Sequence, residues 1–235
     1  MQLSDRLKKI ANYVPKNTIV GDIGTDHGYI PVYLISKSIA KKVIATDISQ
    51  NSLNKIINYV NSTNHMDNIE NIEIRLGDGL EPIRPFEVDT VIIAGMGGLL
   101  IRDILDKDKT KRDSITYFIL QPNIASRELR EYLYENNFEI IDESLVKEDG
   151  KFYEIIYAKK GKSYVTKDIY YEVGEKLIHN KDPLLKEFIH DKIKRLKNII
   201  IELEDKNTNK AKERYEKLNK EILELKEVLK EIESY

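Results

Sequence analysis

The chain has 235 residues, of which 41% are hydrophobic and 33% are charged, and its formal net charge at pH 7 is −2. These values are typical of a globular protein and give no overall attraction to nucleic acid. The sequence has no cysteine, which excludes disulfides and thiolate chemistry, and its four histidines are scattered, so we expect no metal site. No apolar run approaches the roughly 20 residues that span a bilayer, and the N-terminus lacks a signal-peptide core. We therefore expect a cytoplasmic protein without a membrane partner.

Predicted strands and helices alternate over the first two thirds of the chain. The first element is an amphipathic helix over residues 3–13, which we expect to be a lid or a docking helix. Strands are predicted at residues 18–20, 42–46, 72–76, 88–94, 115–120, 139–146 and 152–159, and helices at 30–40, 49–64, 98–105 and 124–136. Ser49 is the predicted N-cap of the helix that it begins.

This alternation indicates a mostly parallel sheet with right-handed crossovers. The last two strands are joined through Glu148-Asp149-Gly150, so that a closing hairpin adds one antiparallel strand and brings the total to seven. The glycines at 21, 24 and 28 do not fit the G-x-G-x-x-G fingerprint of a dehydrogenase. The predicted fold class is α/β, and the seven-stranded plan resembles the Rossmann-like sheet of class I methyltransferases.

The remainder of the chain has a different character, and we expect residues 1–160 and 161–235 to form separate domains. Apolar residues recur at steps of three and four over 184–203 and again over 215–232. Such spacing is typical of coiled-coil seams. The stretch 205–209 lacks apolar residues and is predicted to be a turn, so the two helices fold back as an antiparallel coiled-coil hairpin.

The first helix of this hairpin carries a basic cluster of Lys192, Lys194, Arg195 and Lys197. On a coiled coil such a cluster is either a solvated face or a contact to the phosphate backbone of a nucleic acid. A small metabolite would not need an appendage of this kind. The hairpin therefore favours a large substrate.

Residues 20–29, which read V-G-D-I-G-T-D-H-G-Y, are the stretch around which the first domain is organised. A β-branched strand runs into a glycine-rich turn and then into a helix that begins near Gly28. Glycines allow the backbone to approach a ligand closely, and a helix N-terminus offers unpaired N–H groups. The stretch is therefore typical of a nucleotide-binding turn, in which Asp22 either accepts a hydrogen bond from an ammonium group or orders the turn.

Three further strands also end in acidic residues or glycines. Asp47 follows the second strand, Asp78 and Gly79 follow the third, and the fourth runs into residues 94–98, which read A-G-M-G-G. Ligands of open α/β sheets bind outside the carboxyl ends of the strands, so these ends should converge on one crevice. Asp47 suits ribose hydroxyls and Asp78 suits an adenine amine, although each acid has an alternative role as a cap or turn residue.

These motifs together resemble one family, the bacterial tRNA adenine N1-methyltransferases of the TrmK type. The matching motifs are D-I-G-T-D-H-G-Y-I-P-V-Y-L at 22–34, A-T-D-I at 45–48, G-D-G-L at 77–80, A-G-M-G-G at 94–98 and Q-P-N at 121–123. The resemblance extends over essentially the whole chain, including the C-terminal hairpin. It implies S-adenosyl-L-methionine as the cofactor, a full-length tRNA as the partner and N1 of adenine 22 as the methylated atom. We expect the enzyme to be a monomer.

The residues and the resemblance together assign three sets of site residues. The predicted cofactor-binding residues are Asp22, Gly24, Gly28, Asp47, Ile48, Asp78, Gly79, Ala94 and Gly95. The predicted substrate-binding residues are Tyr29, Met96, Gly97, Gln121, Asn123, Lys192 and Arg195. The predicted catalytic residues are Asp26 and His27.

Asp26 stands where the usual methyltransferase pattern has a glycine, which would place a carboxylate near the sulfonium and the target base. Adenine N1 has an available lone pair, so it can attack the methyl group in line without a covalent enzyme nucleophile. The product ring is cationic, and a carboxylate that accepts a hydrogen bond from the exocyclic amine would stabilise it or act as a base. The alternative is that Asp26 caps the following helix. His27 contacts the cofactor carboxylate or the base, or makes a structural hydrogen bond.

The segment after the fourth strand lacks the N-P-P-Y motif of enzymes that methylate the adenine amino group, so the exocyclic amine is not the expected nucleophile. Gly97 and Gly98 are predicted to leave space for a nucleotide that has left its stack. Gln121 and Asn123 supply amides that can read a purine edge. Tyr29 either stacks on the base or belongs to the core.

Two other classes of function remain open on the sequence alone. A methyltransferase of the same fold could act on another RNA position, a protein or a small molecule. A cofactor-binding scaffold could instead recruit a protein through the hairpin, and turnover by the isolated protein would separate it from an enzyme. A dehydrogenase is disfavoured by the glycine spacing.

Overall fold

The computed structural model describes residues 3–62, 68–204 and 208–233. The chain divides into two units, Met1–Tyr164 and Val165–Tyr235. Within the described residues, no helix is long and apolar enough to cross a membrane. The same residues contain no group of three or more His, Cys, Asp or Glu side chains that could hold a metal ion.

The first unit contains seven strands and six α-helices among the residues described. The strands are β1 Thr18–Ile23, β2 Ala40–Asp47, β3 Ile72–Leu76, β4 Thr90–Met96, β5 Tyr117–Pro122, β6 Phe138–Glu148 and β7 Lys151–Lys160. The helices are α1 Asp5–Asn12, α2 Tyr29–Ser36, α3 Gln50–Ser62, α4 Gly98–Lys107, α5 Lys109–Ser114 and α6 Ser126–Glu135. A short 3-10 helix, Ile69–Asn71, precedes β3.

The strands form one sheet in the order β3-β2-β1-β4-β5-β7-β6. The strand pairs from β3 through to β5 are parallel, and β7 runs antiparallel to both β5 and β6. The strand order reverses between β1 and β4, which is where open α/β sheets bind their ligands. The predicted seven-stranded sheet with one antiparallel strand is confirmed.

The sheet is buried on both faces, which explains the continuous apolar runs of its central strands. One core cluster joins the sheet to α1 and α2 and includes Ile10, Val32 and Ile92. The other joins the opposite face to α4 and α6 and includes Ile101 and Leu129. Helices therefore cover both faces and leave the carboxyl ends of the parallel strands at one edge.

The closing hairpin has the turn that its sequence predicts. β6 ends at Glu148 and β7 begins at Lys151, so Asp149 and Gly150 form a two-residue loop. Both loop residues have positive φ, at 48° and 73°. Asp-Gly is a preferred pair for such a loop, since its twist matches that of the flanking strands.

Several predicted boundaries in this unit change. The helix predicted at 30–40 ends at Ser36, because Ser38 has a φ of +52° and the chain turns there; Ala40 already belongs to β2. Ser49 caps α3 as predicted and accepts a hydrogen bond from the Ser52 N–H at 3.4 Å. The predicted end of α3 at Asn64 lies outside the described residues. The 3-10 helix and α5 were not predicted.

The second unit consists of α7 Tyr170–Val173, α8 Glu175–His179, α9 Leu185–Glu204 and α10 Asn209–Glu233. Lys186, at the start of α9, pairs with Glu233, at the end of α10, so these helices are antiparallel as predicted. Helix α10 begins six residues earlier than expected, since Thr208 accepts a hydrogen bond from the Ala211 N–H and caps it. Asn209 is therefore helical and not part of a turn, and residues 205–207 lie outside the described residues. Helices α7 and α8 were not predicted.

Candidate active site

The glycine-rich turn after β1 is anchored to the end of β2. The N–H groups of Gly24 and Thr25 both donate to the Thr46 carbonyl oxygen, at 2.8 and 2.9 Å. Gly28 caps α2 with a φ of +72°, and a Cβ there would lie 2.9 Å from the Ile56 side chain of α3. Gly28 is therefore required by both the turn and the packing of α3.

Asp22 is a buried carboxyl group at the carboxyl end of β1, with 5% of its surface exposed. The Thr25 hydroxyl donates to its carboxylate. Burial raises the pKa of Asp22 to about 6, and the Thr25 hydrogen bond opposes this shift. A carboxylate that is desolvated in this way is stabilised by any cationic group brought next to it.

The second strand ends in a polar and an apolar residue side by side. The Asp47 carboxylate accepts a hydrogen bond from the Ser49 N–H at 2.7 Å, and its other oxygen accepts none from the described residues. Ile48 is 71% exposed although it is a large apolar residue. This pair combines hydrogen-bond acceptors with an apolar surface at the sheet edge, as a nucleoside requires.

Asp78, after β3, is paired with a lysine from α4. The Lys107 ammonium lies 2.7 Å from Asp78 Oδ2, and this contact raises the pKa of Lys107. Gly79 lies against Ile104 of the same helix, because a Cβ at residue 79 would be 3.0 Å from Ile104 Cγ2. The third strand end is therefore held against α4. Lys107 could not be assigned to the site from the sequence, since it is 29 residues from Asp78 in the chain.

Asp26 and His27 lie in an exposed cluster that includes two residues of α3. Asp26 Oδ2 is 3.1 Å from His27 Nε2, and Asp26 Oδ1 is 3.6 Å from Lys55 Nζ. The His27 and Tyr29 rings stack with centroids 5.3 Å apart, and Tyr59 meets Tyr29 edge-on at 5.1 Å. Tyr29 is 42% exposed, so one part of its ring surface remains open to solvent. Sequence reasoning did not identify Lys55 and Tyr59, whose only signal is that they lie one turn apart on an amphipathic helix.

The ends of β4 and β5 are joined through side-chain amides. Gln121 has no exposed surface; its Oε1 accepts from the Gly95 N–H at 3.1 Å, and its Nε2 donates to Asn123 Oδ1 at 3.0 Å. Asn123 Nδ2 donates in turn to the Gly95 carbonyl oxygen at 2.7 Å. Both predicted purine-reading amides are therefore engaged with the Gly95 peptide, and Ala94 pairs with Gln121 in the sheet.

The A-G-M-G-G segment is more closely packed than its glycines suggest. A Cβ on Gly24 would lie 2.1 Å from Met96 Cε, so the Met96 side chain lies over the first turn. Gly97 lies beside the exposed Ile124 side chain, whereas a Cβ on Gly98 would lie 2.2 Å from the Ala125 carbonyl oxygen. The prediction that Gly98 leaves space for a nucleotide is wrong, because backbone of residues 124–125 fills that space.

Two residues of the predicted basic cluster, Lys192 and Arg195, have acidic partners. Lys192 Nζ is 3.2 Å from Glu172 Oε2, and Arg195 pairs with Asp191 one turn earlier on α9 at 2.8 Å. Other exposed basic residues of this unit form no ion pair with the described residues. They include Lys194 and Lys197 on α9 and Lys210, Arg214 and Lys217 on α10.

A seven-stranded sheet with β7 antiparallel, and acids at the ends of β1, β2 and β3, define a Rossmann-like methyltransferase of class I. Residues 20–227 match the model of the TrmK family, tRNA (adenine(22)-N(1))-methyltransferase, and the chain belongs to this family. It is 39% identical over 164 residues to the tRNA (adenine(22)-N(1))-methyltransferase of Bacillus subtilis strain 168. That alignment covers 68% of this chain and 66% of the relative.

Two solved structures are similar over almost the whole chain. TrmK of M. capricolum, in complex with S-adenosyl-homocysteine, has a TM-score of 0.84 and 30% identity, and the match covers 99% of this chain and 100% of that one. A Streptococcus pneumoniae protein in complex with S-adenosyl-L-methionine has a TM-score of 0.86 and 29% identity, with 97% and 100% covered. The family and the fold predicted from the sequence are confirmed.

Proposed function

We propose that this chain transfers the methyl group of S-adenosyl-L-methionine to N1 of adenine 22 in tRNA. The observation that carries the proposal is the convergence of a buried carboxyl group, two further acids and the exposed Asp26 cluster at one sheet edge, in a chain of this family. Relatives solved with S-adenosyl-L-methionine and with its product support the choice of cofactor.

The residues at the strand ends fit this cofactor. Asp22 would hold the ammonium group, since a buried carboxylate favours a cationic neighbour. Asp47 would accept from the ribose hydroxyls, the exposed Ile48 would cover the adenine ring, and Asp78 would accept from the adenine amine. Gly24, Gly28, Gly79, Ala94 and Gly95 complete the proposed cofactor site. When bound, the cofactor supplies an electrophilic methyl group on a sulfonium.

Asp26 is the proposed catalytic carboxylate. Adenine N1 has its own lone pair and needs no covalent nucleophile, so the protein contributes alignment and charge. Asp26 accepts a hydrogen bond from the exocyclic amine as the ring becomes cationic. His27 and Lys55, at 3.1 and 3.6 Å, hold the carboxylate in place before the base arrives. His27 is therefore proposed to act beside Asp26.

The base itself is proposed to bind against Tyr29. The open part of the Tyr29 ring offers a stacking surface, and Tyr59 fixes its orientation from the side. Met96, Gly97, Gln121 and Asn123 form the proposed opposite rim. Gln121 is buried and fully engaged, so we expect it to shape this rim rather than to read the base directly.

The second unit is proposed to contact the tRNA backbone. Lys192 and Arg195 remain part of this proposal, although each has an acidic partner in the structure. Lys210, Arg214 and Lys217 are exposed and recur on one face of α10, so they offer a row of charges to phosphates. We further propose that the protein is cytoplasmic. We also propose that it is a monomer, because one chain carries every residue assigned to binding and chemistry.

The test is methyl transfer to unmodified total tRNA, followed by nuclease digestion and mass spectrometry of the nucleosides. Wild-type protein should yield 1-methyladenosine, and Asp26→Ala should lower kcat about 100-fold while S-adenosyl-homocysteine binding is retained. Asp103→Asn is the control, since Asp103 is an acid of similar side-chain exposure on α4. Methylation of no RNA despite cofactor binding would contradict the proposal and favour a scaffold or a protein methyltransferase.

A further inference from the structure

Arg6 brings a guanidinium group from the N-terminal helix to the carboxyl ends of the central strands. Its Nη1 donates to Gln121 Oε1 at 2.5 Å, across 115 residues of sequence. The same nitrogen lies 4.0 Å from the position that a Cβ on Gly95 would take. Helix α1 is therefore tied to the Q-P-N segment and to the carboxyl end of β4.

The Arg6 side chain is held from several sides. The backbone N–H of Arg6 donates to Glu148 Oε1 at 2.5 Å, and the buried side-chain Nε lies 3.9 Å from Glu148 Oε2, which is an ionic contact without a hydrogen bond. The guanidinium lies over the Tyr153 ring, 5.1 Å from its centroid. Only 24% of the side chain is exposed. The guanidinium is therefore positioned by its Nη1 hydrogen bond to Gln121, by the Tyr153 ring and by a longer ionic contact to Glu148.

Arg6 also determines which way the Gln121 amide points. Arginine is a donor only, and the Gly95 N–H is a second donor that faces the same oxygen. On the other side, Gln121 Nε2 faces two acceptors, the Pro122 carbonyl and Asn123 Oδ1. A flipped amide would place its NH2 group against the two donors and its oxygen against the two acceptors. Removal of Arg6 eliminates one of the two donors that exclude this flip.

The hydrogen bonds of Gln121 and Asn123 hold the backbone of Gly95. Its N–H is bound by Gln121 and its carbonyl oxygen by Asn123, and Gly95 has a φ of +78°. A glycine in this region has much conformational freedom, so the two amides decide its conformation. Met96, which follows, lies over Gly24. A change at residue 95 would therefore move the Met96 side chain, which packs against the turn after β1.

We propose that Arg6 is a positioning residue for methyl transfer: it orients Gln121, which fixes the Gly95 peptide and thereby the rim of residues 94–97 against the base. This inference rests on the proposed function. A guanidinium in direct contact with the base would oppose the positive charge of the methylated ring. Its pairing with Glu148 and Gln121 suits an action through position rather than through charge.

The first test compares Arg6→Met with Lys9→Met, which removes another cation from the same helix. Arg6→Met should lower kcat about 10- to 100-fold, because small misplacements of reacting groups are costly, and should leave the Kd of S-adenosyl-homocysteine within about twofold. Lys9→Met should retain wild-type kcat. An Arg6→Met enzyme with wild-type kcat would overturn the inference, and a wild-type enzyme that methylates no tRNA would instead overturn the proposed function.

A second measurement does not depend on activity. Hydrogen exchange of the Gly95 amide, followed by NMR on cofactor-free protein, should accelerate at least tenfold in Arg6→Met and not in Lys9→Met. In a double-mutant cycle, Arg6→Met should have little further effect on kcat once Gln121→Met is present. Unchanged Gly95 exchange in Arg6→Met would contradict the proposed action of Arg6 through Gln121. Additive effects on kcat, together with a changed salt dependence of the KM for tRNA, would show that Arg6 acts on the RNA instead.

Discussion

Asp22 gives the proposed cofactor site its electrostatic character. It is buried, its only side-chain hydrogen-bond donor among the described residues is the neutral Thr25 hydroxyl, and burial raises its pKa to about 6. Between its ordinary pKa and about 6, the folded chain holds a proton that the unfolded chain releases. Ionised Asp22 therefore lowers the stability of the cofactor-free protein above pH 6, and a cationic ligand offsets this cost.

Cofactor binding should consequently depend on pH through Asp22. An ammonium group favours the ionised carboxylate, so the Kd of S-adenosyl-homocysteine should be about tenfold higher at pH 5 than at pH 7. Isothermal titration calorimetry of the wild type and Asp22→Asn across this range measures the effect. Asp22→Asn should bind weakly with little pH dependence. An equally steep pH dependence in Asp22→Asn would assign the titration to another group.

At the scale of single residues, the sequence predicts which strand ends carry acids and glycines but not their partners. Asp22, Asp47 and Asp78 could be located because a β-branched run ends at each. Lys107 could not, since it reaches the site from a helix 29 residues away in the chain. Arg6 lies on a basic helix that the sequence predicts to be either solvated or in contact with a substrate, but its bond to Gln121 is visible only in the structure. Gln121 shows the same limit: the motif identifies the amide, but only packing shows that it is buried and engaged.

Helix α6 is fastened to the closing hairpin by a buried ionic cluster. The Arg130 guanidinium donates to Glu143 of β6 and to Glu154 of β7, both at 2.7 Å, and 1% of its side chain is exposed. The Ser126 hydroxyl, in the first turn of α6, also donates to Glu154 at 2.8 Å. The start of α6 follows the Q-P-N segment directly, so this cluster also supports the rim of the site.

Loss of Arg130 should be costly because it leaves two buried carboxylates without their cation. We expect Arg130→Met to lower the free energy of unfolding by about 3–5 kcal/mol in urea denaturation at pH 7. Arg127→Met is the matched control, since Arg127 forms a partly exposed pair with Glu131 one turn later and its loss should cost less than about 1 kcal/mol. Equal losses in both variants would contradict a structural role for the buried cluster.

At the scale of elements, strongly periodic segments are predictable and short ones are not. The strand over residues 72–76 matches its prediction because its apolar pattern is strong. Helix α5 has the polar sequence K-T-K-R-D-S, and its stability comes from the Asp108 cap and from the buried Arg112. Helix α2 ends early at a Lys-Ser turn that has no glycine or proline to mark it. These local structures depend on tertiary contacts that periodicity does not report.

The whole molecule combines a slightly acidic first unit with a hairpin that carries exposed cations. Lys210, Arg214 and Lys217 lie at steps of four and three on α10, so they share one face, and all three are exposed. The net charge of the chain is −2, so any attraction for RNA must come from local rows of this kind.

Charge reversal of this row should weaken tRNA binding without changing the chemistry. We expect the Lys210→Glu, Arg214→Glu, Lys217→Glu variant to raise the KM for tRNA and to reduce the slope of log affinity against log salt by about three. The Kd of S-adenosyl-homocysteine should not change. Reversal of the exposed Lys16, Lys37 and Lys41 of the first unit alters the net charge equally and serves as the control. Equal effects of both triple variants would show that only net charge matters.

The proposed acceptor is adenine 22 of tRNA. This assignment is tested by methyl transfer by the wild-type protein to a tRNA transcript with adenine at position 22 and to the same transcript with guanine there. The modified nucleotide is located by mass spectrometry of nuclease fragments. We predict one 1-methyladenosine, at position 22, in the first transcript and none in the second. Equal methylation of both transcripts, or methylation at another position, would contradict the account.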